Sequence, residues 1–333
     1  MPQGRGRHRP NDVKSPGTLG VFLDSSERGG GMLLSDFIQG ESEVKVKLDP
    51  GATVGVIGGK GEMGRLFSGF FQSCGFRVNV GDLGTNPTAR EVLESSDIVL
   101  FSVPLHRTEA IIRDLVPYAK PHQLLLDLSS LKVGPVREML RSASFVVGLH
   151  PMFGGRISTF RGQTIVACPA RIPTPDWLRL RSLLSAGGME VKESTPEEHD
   201  RMMSIIQVLF HMTTMLTGRV MRRMGIDLAE VLEYASPGYR VELSQVGRLF
   251  AQSPELYSAI IQGNPGTGEV LAQLREGLEL YGGWFEKQEL SGFVKDFERS
   301  ARYLGEFCSR AFRDSSVLHE TVVKCSEGGS GGD

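Results

Sequence analysis

No apolar run in this 333-residue chain approaches the roughly 20 residues that a membrane-spanning helix needs. Cysteine is scarce: Cys74, Cys168, Cys308 and Cys325 stand far apart, with no CxxC pair. This argues against a zinc ribbon or a dense disulfide framework, and for reduced thiols in a cytoplasmic protein without a metal site. An excess of one charge is lacking too. The 37 Lys and Arg nearly balance the 39 Asp and Glu, for a net charge of −2, so no global basic surface points to nucleic acid. Neither a membrane nor a nucleic acid is expected as a partner.

What is present is an ordinary globular composition, 40% hydrophobic and 23% charged. At about 100–200 residues per domain, the length suggests two domains. Residues 1–50 read as a disordered or poorly structured extension. Arg5, Arg7, Arg9 and Lys14 stand against Asp12 in its first part, without the apolar core of a secretory signal. A basic tail is the plain reading, an organellar transit peptide the alternative. The extension lacks the apolar heptads of a helical bundle. Residues 316–333, ending Ser-Glu-Gly-Gly-Ser-Gly-Gly-Asp, read as a flexible tail.

Residues 51–194 alternate apolar runs with short helical patterns. The runs are Thr53–Ile57, Phe76–Val80, Asp97–Val103, Leu124–Leu128, Phe145–Leu149 and Thr164–Cys168. Most are continuously apolar, as in strands of a parallel sheet buried on both faces. Met63, Leu66, Phe67, Phe70, Phe71 and Cys74 form a helical stripe between the first two. The pattern predicts an α/β Rossmann-type, doubly wound sheet. Residues 195–315 read as all-helical. Thr195-Pro196-Glu197-Glu198 predicts a capping box that opens a long apolar helix ending at Gly225. Such a helix suits a domain centre or a subunit interface, so an α-helical dimerisation domain is expected.

Strand Thr53–Ile57 runs into Gly59-Lys60-Gly61-Glu62-Met63-Gly64, a GxGxxG loop followed by a helix. Gly59 would allow the tight turn, Gly61 the approach of a pyrophosphate, and Gly64 close helix–strand packing. The alternative is a glycine turn in an unliganded α/β protein. Asp82, 18 residues beyond Gly64, stands where an acid would bind the ribose 2′-hydroxyl and repel a 2′-phosphate, which favours NAD over NADP. Otherwise Asp82 caps the following turn. Ser102, Val103 and Pro104 end the third strand, where they would line the nicotinamide half of the site.

Among seven histidines, His150 follows an apolar strand and precedes Pro151, which holds its backbone extended. Alone it reads as either a catalytic or a structural residue at a strand end. The hydroxyls of Asp127-Leu128-Ser129-Ser130-Leu131-Lys132 should come near the same edge. His199 and Asp200, in a helix's first turn, read as structural. His211 lies among Leu209, Phe210, Met212 and Met215 and reads as a packed core histidine. Arg248 lies in an apolar helical stretch, either as an anion anchor or as a surface arginine.

Gly58–Gly64, Asp127–Lys132, Gly148–Gly154 with its His-Pro-Met-Phe-Gly, Glu198-His199-Asp200 and Tyr239–Gln252 with its Gly-Arg-Leu-Phe-Ala-Gln together resemble prephenate dehydrogenase. The likeness is strongest to the dehydrogenase half of bifunctional chorismate mutase–prephenate dehydrogenases and spans residues 52–314. It implies a homodimer that oxidatively decarboxylates prephenate to 4-hydroxyphenylpyruvate with NAD, in tyrosine biosynthesis. It implies that His150 accepts a hydrogen bond from the ring 4-hydroxyl and that Ser130 helps to hold both. Arg248 would bind a carboxylate, His211 would face the substrate side chain, and Tyr239 and Arg240 would lie in a substrate-domain turn. Without a bundle before the glycine loop, no mutase activity is expected. Arogenate dehydrogenase and 4-amino-4-deoxyprephenate dehydrogenase are the rival enzymes, although the amino substrate lacks the hydroxyl that His150 and Ser130 would hold. A non-catalytic NAD-binding sensor is the rival from another class.

Overall fold

The computed structural model describes residues 45–328. The basic tail and the absent bundle expected within residues 1–44, and residues 329–333 of the C-terminal tail, lie outside the described residues. The first part of the fold runs β1 (Thr53–Ile57), α1 (Glu62–Ser73), β2 (Arg77–Gly81), α2 (Ala89–Glu94), β3 (Ile98–Phe101), α3 (Leu105–Leu115), β4 (Leu124–Asp127), α4 (Val133–Met139), β5 (Phe145–Pro151), β6 (Thr164–Arg171), α5 (Thr174–Ala186) and β7 (Glu190–Glu193). These strands form one sheet in the order β2-β1-β3-β4-β5-β6-β7, with β1 to β5 mutually parallel.

The continuous apolar runs follow from what covers the sheet. Successive side chains of a strand point to opposite faces. Ile98 and Leu100 pack with Phe67 and Phe71 of α1 and Leu180 and Leu184 of α5. Val99 and Phe101 pack with Leu93, Ile112 and Met139 of α2, α3 and α4. Both faces are dry, so the central strands have no polar side. This is the expected doubly wound sheet.

Three features differ from the sequence reading. β6 runs antiparallel to β5, because residues 152–163 join the two strands without the helical crossover that a parallel neighbour needs. β7 is an additional edge strand, Glu-Val-Lys-Glu, whose polar residues give no apolar run to recognise. At the domain's start, Val46 and Leu48 are buried in the α1–α5 core, and Val46 N–H donates to Asp176 at 3.3 Å, so residues 45–50 belong to the packed fold.

The second part is all-helical, as expected: α6 (Pro196–Met203), α7 (Phe210–Met224), α8 (Leu228–Tyr234), α9 (Pro237–Phe250), α10 (Pro254–Gly263), α11 (Thr267–Glu286), α12 (Leu290–Leu304) and α13 (Phe307–Gly328). α13 carries helix through residues 316–328, which the sequence reading gives to a tail. The long helix expected from Thr195 to Met224 is interrupted by a π-helical segment, Ser204–Leu209. Thr195 caps α6 by accepting the Glu198 N–H at 3.2 Å, but the other half of the box is missing: the Glu198 carboxylate pairs with Arg201 instead. No helix among the described residues is long and apolar enough to cross a membrane.

Candidate active site

The glycine loop joins β1 to α1 at the C-terminal edge of the sheet. The left-handed residue is Gly58, with φ of +82°, not the Gly59 assigned to the turn from sequence. A side chain at Gly58 would collide with the Ser102 carbonyl. Gly59 is constrained differently: a Cβ there would lie 2.6 Å from Val80 of β2. At Gly64 a Cβ would lie 2.5 Å from the Gly58 carbonyl, so glycine permits the helix to seat on the loop. Gly61 caps α1 with no side chain on the first-turn amides, and Glu62 and Met63 follow in that turn. The loop is therefore a backbone cradle of the kind that holds a phosphate, which fits a dinucleotide.

Ser102, Val103 and Pro104 follow β3 and stand beside this loop, with Val103 3.0 Å from where a Gly58 Cβ would be. Asp82 stands directly after β2. Its carboxylate accepts the Lys60 N–H at 3.0 Å and the Leu83 N–H at 2.8 Å. It thus both touches the glycine loop and caps its own turn.

His150 sits near the end of β5, 3% exposed. The segment after it is pinned to the cofactor cradle. Phe153 meets Phe160 edge-on, Phe160 meets Phe67 and Phe70 of α1, and Arg156 pairs with Glu62 at 2.8 Å. A Cβ on Gly155 would lie 2.6 Å from that of Glu62, so glycine permits the close approach. The sequence of this loop thereby holds the histidine strand and the first turn of α1 in one fixed relation.

His150 Nδ1 lies 2.8 Å from His199 Nε2, and His199 Nδ1 lies 2.7 Å from Asp200 Oδ1. The Asp200 carboxylate also accepts the N–H groups of Lys132 at 2.8 Å and Val133 at 3.0 Å, where α4 begins. Asn264 donates to the Asp200 carbonyl at 2.9 Å and ties this point to the helical part. Lys132, wholly buried, donates to Asp127 and to the Leu149 carbonyl, the residue before His150. Ser129 donates to the same Asp127 carboxylate. Burial above all, then the neighbouring His199 and Lys132, holds the His150 imidazole well below its ordinary pKa, so it is neutral at neutral pH.

Ser130 follows Ser129, half-buried, and its hydroxyl makes no hydrogen bond among the described residues. Gln207, in the π-helical segment, brings its amide nitrogen 3.4 Å from His150 Nε2, and its Oε1 is buried without a partner. His211, four residues on, also has a buried Nδ1 without a partner and stacks edge-on against Tyr257 at 4.7 Å. Burial lowers the His211 pKa. Arg248 is exposed on α9, and its charge bears on the Tyr257 hydroxyl. Tyr239 and Arg240 lie in the first turn of α9. Tyr239 lines a surface cavity of about 590 Å³ with Gly225, Asp227 and Tyr234. The Arg240 guanidinium donates to the carbonyls of Leu232 and Ala235 at the end of α8.

Sequence reasoning overlooks four residues at this site. His199 and Asp200 read as a helix start, which they are, while their second role depends on a partner from β5. Gln207 could have been found from its position four residues before His211. Lys132 closes the Asp127–Lys132 motif, but its burial is not legible there, since a lysine is ordinarily a surface residue.

Two family descriptions match the chain. Prephenate dehydrogenase, nucleotide-binding domain, matches residues 68–189, from just beyond the glycine loop, and prephenate dehydrogenase, dimerization domain, matches residues 195–299. A T-protein of Haemophilus influenzae is 32% identical over 275 residues, covering 82% of this chain and 72% of that protein. A T-protein of Enterobacter agglomerans is 34% identical over 267 residues, covering 79% and 70%. The crystal structure of prephenate dehydrogenase from A. aeolicus in complex with hydroxyphenyl propionate and NAD+ has the same fold, with a TM-score of 0.60 at 16% identity, over 78% of this chain and 100% of that one.

Proposed function

The chain belongs to the prephenate dehydrogenase family, and we propose that it is a cytoplasmic homodimer that oxidises prephenate with NAD to 4-hydroxyphenylpyruvate and CO2. The observation that carries this reading is His150: a buried, neutral imidazole at the sheet edge, directly before the segment pinned to the cofactor cradle. A bound nicotinamide would supply the acceptor for the hydride that leaves ring C4. As the 4-hydroxyl oxygen becomes electron-poor, its proton shifts toward His150 Nε2. The ring carboxylate departs as CO2, the ring becomes aromatic, and the proton returns to the oxygen. Neutral histidine suits this step, because an imidazolium has no lone pair to offer.

Buried polar atoms in folded proteins nearly always have partners. Gln207 Oε1 and His211 Nδ1 have none, and both lie on the helix that faces His150. They support a polar ligand beside that residue. The Asp82 carboxylate after β2 supports NAD as that ligand's partner cofactor. One assay tests substrate and cofactor together. NADH or NADPH formation is followed with purified protein given prephenate, arogenate or 4-amino-4-deoxyprephenate. Prephenate with NAD is expected to give the highest kcat/KM, and Asp82→Ala to narrow the preference for NAD over NADP. A higher kcat/KM with arogenate or the amino compound, or equal use of both cofactors, would overturn the corresponding part.

The helical part leaves a large apolar surface uncovered. Leu278 and Phe285 of α11, Leu290 and Phe297 of α12, and Phe312 of α13 are all more than 60% exposed. Monomeric proteins rarely present contiguous apolar patches beyond a few hundred Å², and this supports a second copy of the chain as their cover. Light scattering at micromolar concentration should give the dimer mass; a monomer mass would count against the interface.

A further inference from the structure

We infer that His199 and Asp200 are positioning residues that lock one tautomer of His150 and leave its Nε2 lone pair free for the substrate's hydroxyl proton. The inference rests on the reading of His150 given above, and it follows from the direction in which three hydrogen bonds must run.

A carboxylate only accepts hydrogen bonds. Asp200 stands at the end of the line, where it also takes two backbone N–H groups, from Lys132 and Val133. The proton in the 2.7 Å contact therefore belongs to His199 Nδ1. A neutral imidazole protonated at Nδ1 presents a lone pair at Nε2. That lone pair lies 2.8 Å from His150 Nδ1, so His150 must carry its own proton there. The Nε2 of His150 then carries no proton and presents a lone pair, which the Gln207 amide nitrogen approaches only at 3.4 Å. With both rings neutral, each step leaves one solution, and the last one is the acceptor that the reaction requires.

The burial of the line gives this direction its strength. His150, His199 and Asp200 are 3%, 1% and 2% exposed, so water does not replace a lost partner. The opposite tautomer of His150 would set two lone pairs against each other at the His150–His199 contact. It would also place a proton on the nitrogen that has to accept one. Alone, a buried histidine is a weak base, since burial penalises its charged form. Here the proton that arrives at Nε2 leaves an imidazolium whose Nδ1–H points along His199 toward the Asp200 carboxylate. The O–H bond of the substrate lengthens as the N–H bond forms, and the transfer reverses when the ring becomes aromatic, so no proton is gained or lost. The Lys132 ammonium does not compete for Asp200, because it is engaged by Asp127 and the Leu149 carbonyl.

Nitrogen-15 NMR of histidine-labelled protein reads the tautomers directly, with His150→Asn and His199→Gln spectra used for assignment. Both rings should be neutral and protonated at Nδ1. This measurement needs no substrate, so a protein inactive on prephenate would refute the functional reading while leaving the tautomer result standing. Kinetics supply the second readout. His199→Leu should lower kcat by about 10- to 100-fold, with KM little changed. His199→Gln, whose amide oxygen can accept from His150 Nδ1, should recover most of that loss. If His199→Leu fails to fold, the wild-type spectrum and the glutamine variant still decide. A wild-type His150 protonated at Nε2, an unchanged kcat in His199→Leu, or a glutamine variant impaired as severely as a folded leucine variant would overturn the inference.

Discussion

His150→Asn should lower kcat by about 10²- to 10⁴-fold, the usual range for loss of a general base, while KM changes little. Asparagine keeps polarity and approximate size but cannot accept a proton. The loss should therefore fall on the transition state, where the hydroxyl proton moves, and NAD binding should persist. Turnover near that of the native protein would remove His150 from the chemistry. The same residue sets an expectation for pH. Burial, His199 and Lys132 hold its folded-state pKa well below 6.5, so the acid limb of kcat/KM, which reports the free enzyme, should also lie below 6.5. The sign for stability agrees. The unfolded chain takes up a proton at this residue near pH 6.5 and the folded chain does not. The stability is therefore full above about pH 6.5 and is lost as pH falls from there toward the folded value. An acid limb at or above 6.5 would contradict the burial argument.

Much of the first domain is legible in the sequence, for a physical reason. Ile98–Phe101 and Leu124–Asp127 are covered on both faces, so each reads as a short, continuously apolar run, and its length points to a strand. Glu190–Glu193 is an edge strand with one half-buried residue, and nothing distinguishes it from a polar loop. The direction of β6 depends on the connection before it and not on its own residues. The site divides in the same way. The glycine loop and His150 are local signals, each read from a few neighbouring residues and a strand end. The His150–His199 contact joins residues 49 apart in sequence, and neither shows the other in its local pattern. The Lys132–Asp127 pair is local in sequence but depends on burial, which the sequence does not display. In the helical part, the break at Ser204–Leu209 has no proline or glycine to announce it.

Arg248→Ala should act on a different kinetic axis from His150→Asn. Prephenate carries two carboxylates, and a planar guanidinium binds one of them with paired, charge-assisted hydrogen bonds in ground and transition states alike. Loss of such uniform binding raises KM and leaves kcat nearly unchanged. The structure bears on the size of the effect. Arg248 is exposed on α9, where a surface guanidinium remains partly solvated, and its charge bears on Tyr257, whose ring stacks on His211. Hydrogen bonds to charged groups typically contribute about 1.5–3 kcal/mol, which corresponds to roughly a 10- to 150-fold rise in KM. Arg248→Lys keeps the charge without the fork and should fall between the native protein and the alanine variant. Raising ionic strength should shrink the difference among the three, because screening weakens an exposed contact more than a buried one. A native KM in Arg248→Ala would leave the substrate carboxylate without this anchor and would make Arg248 an ordinary surface residue of α9.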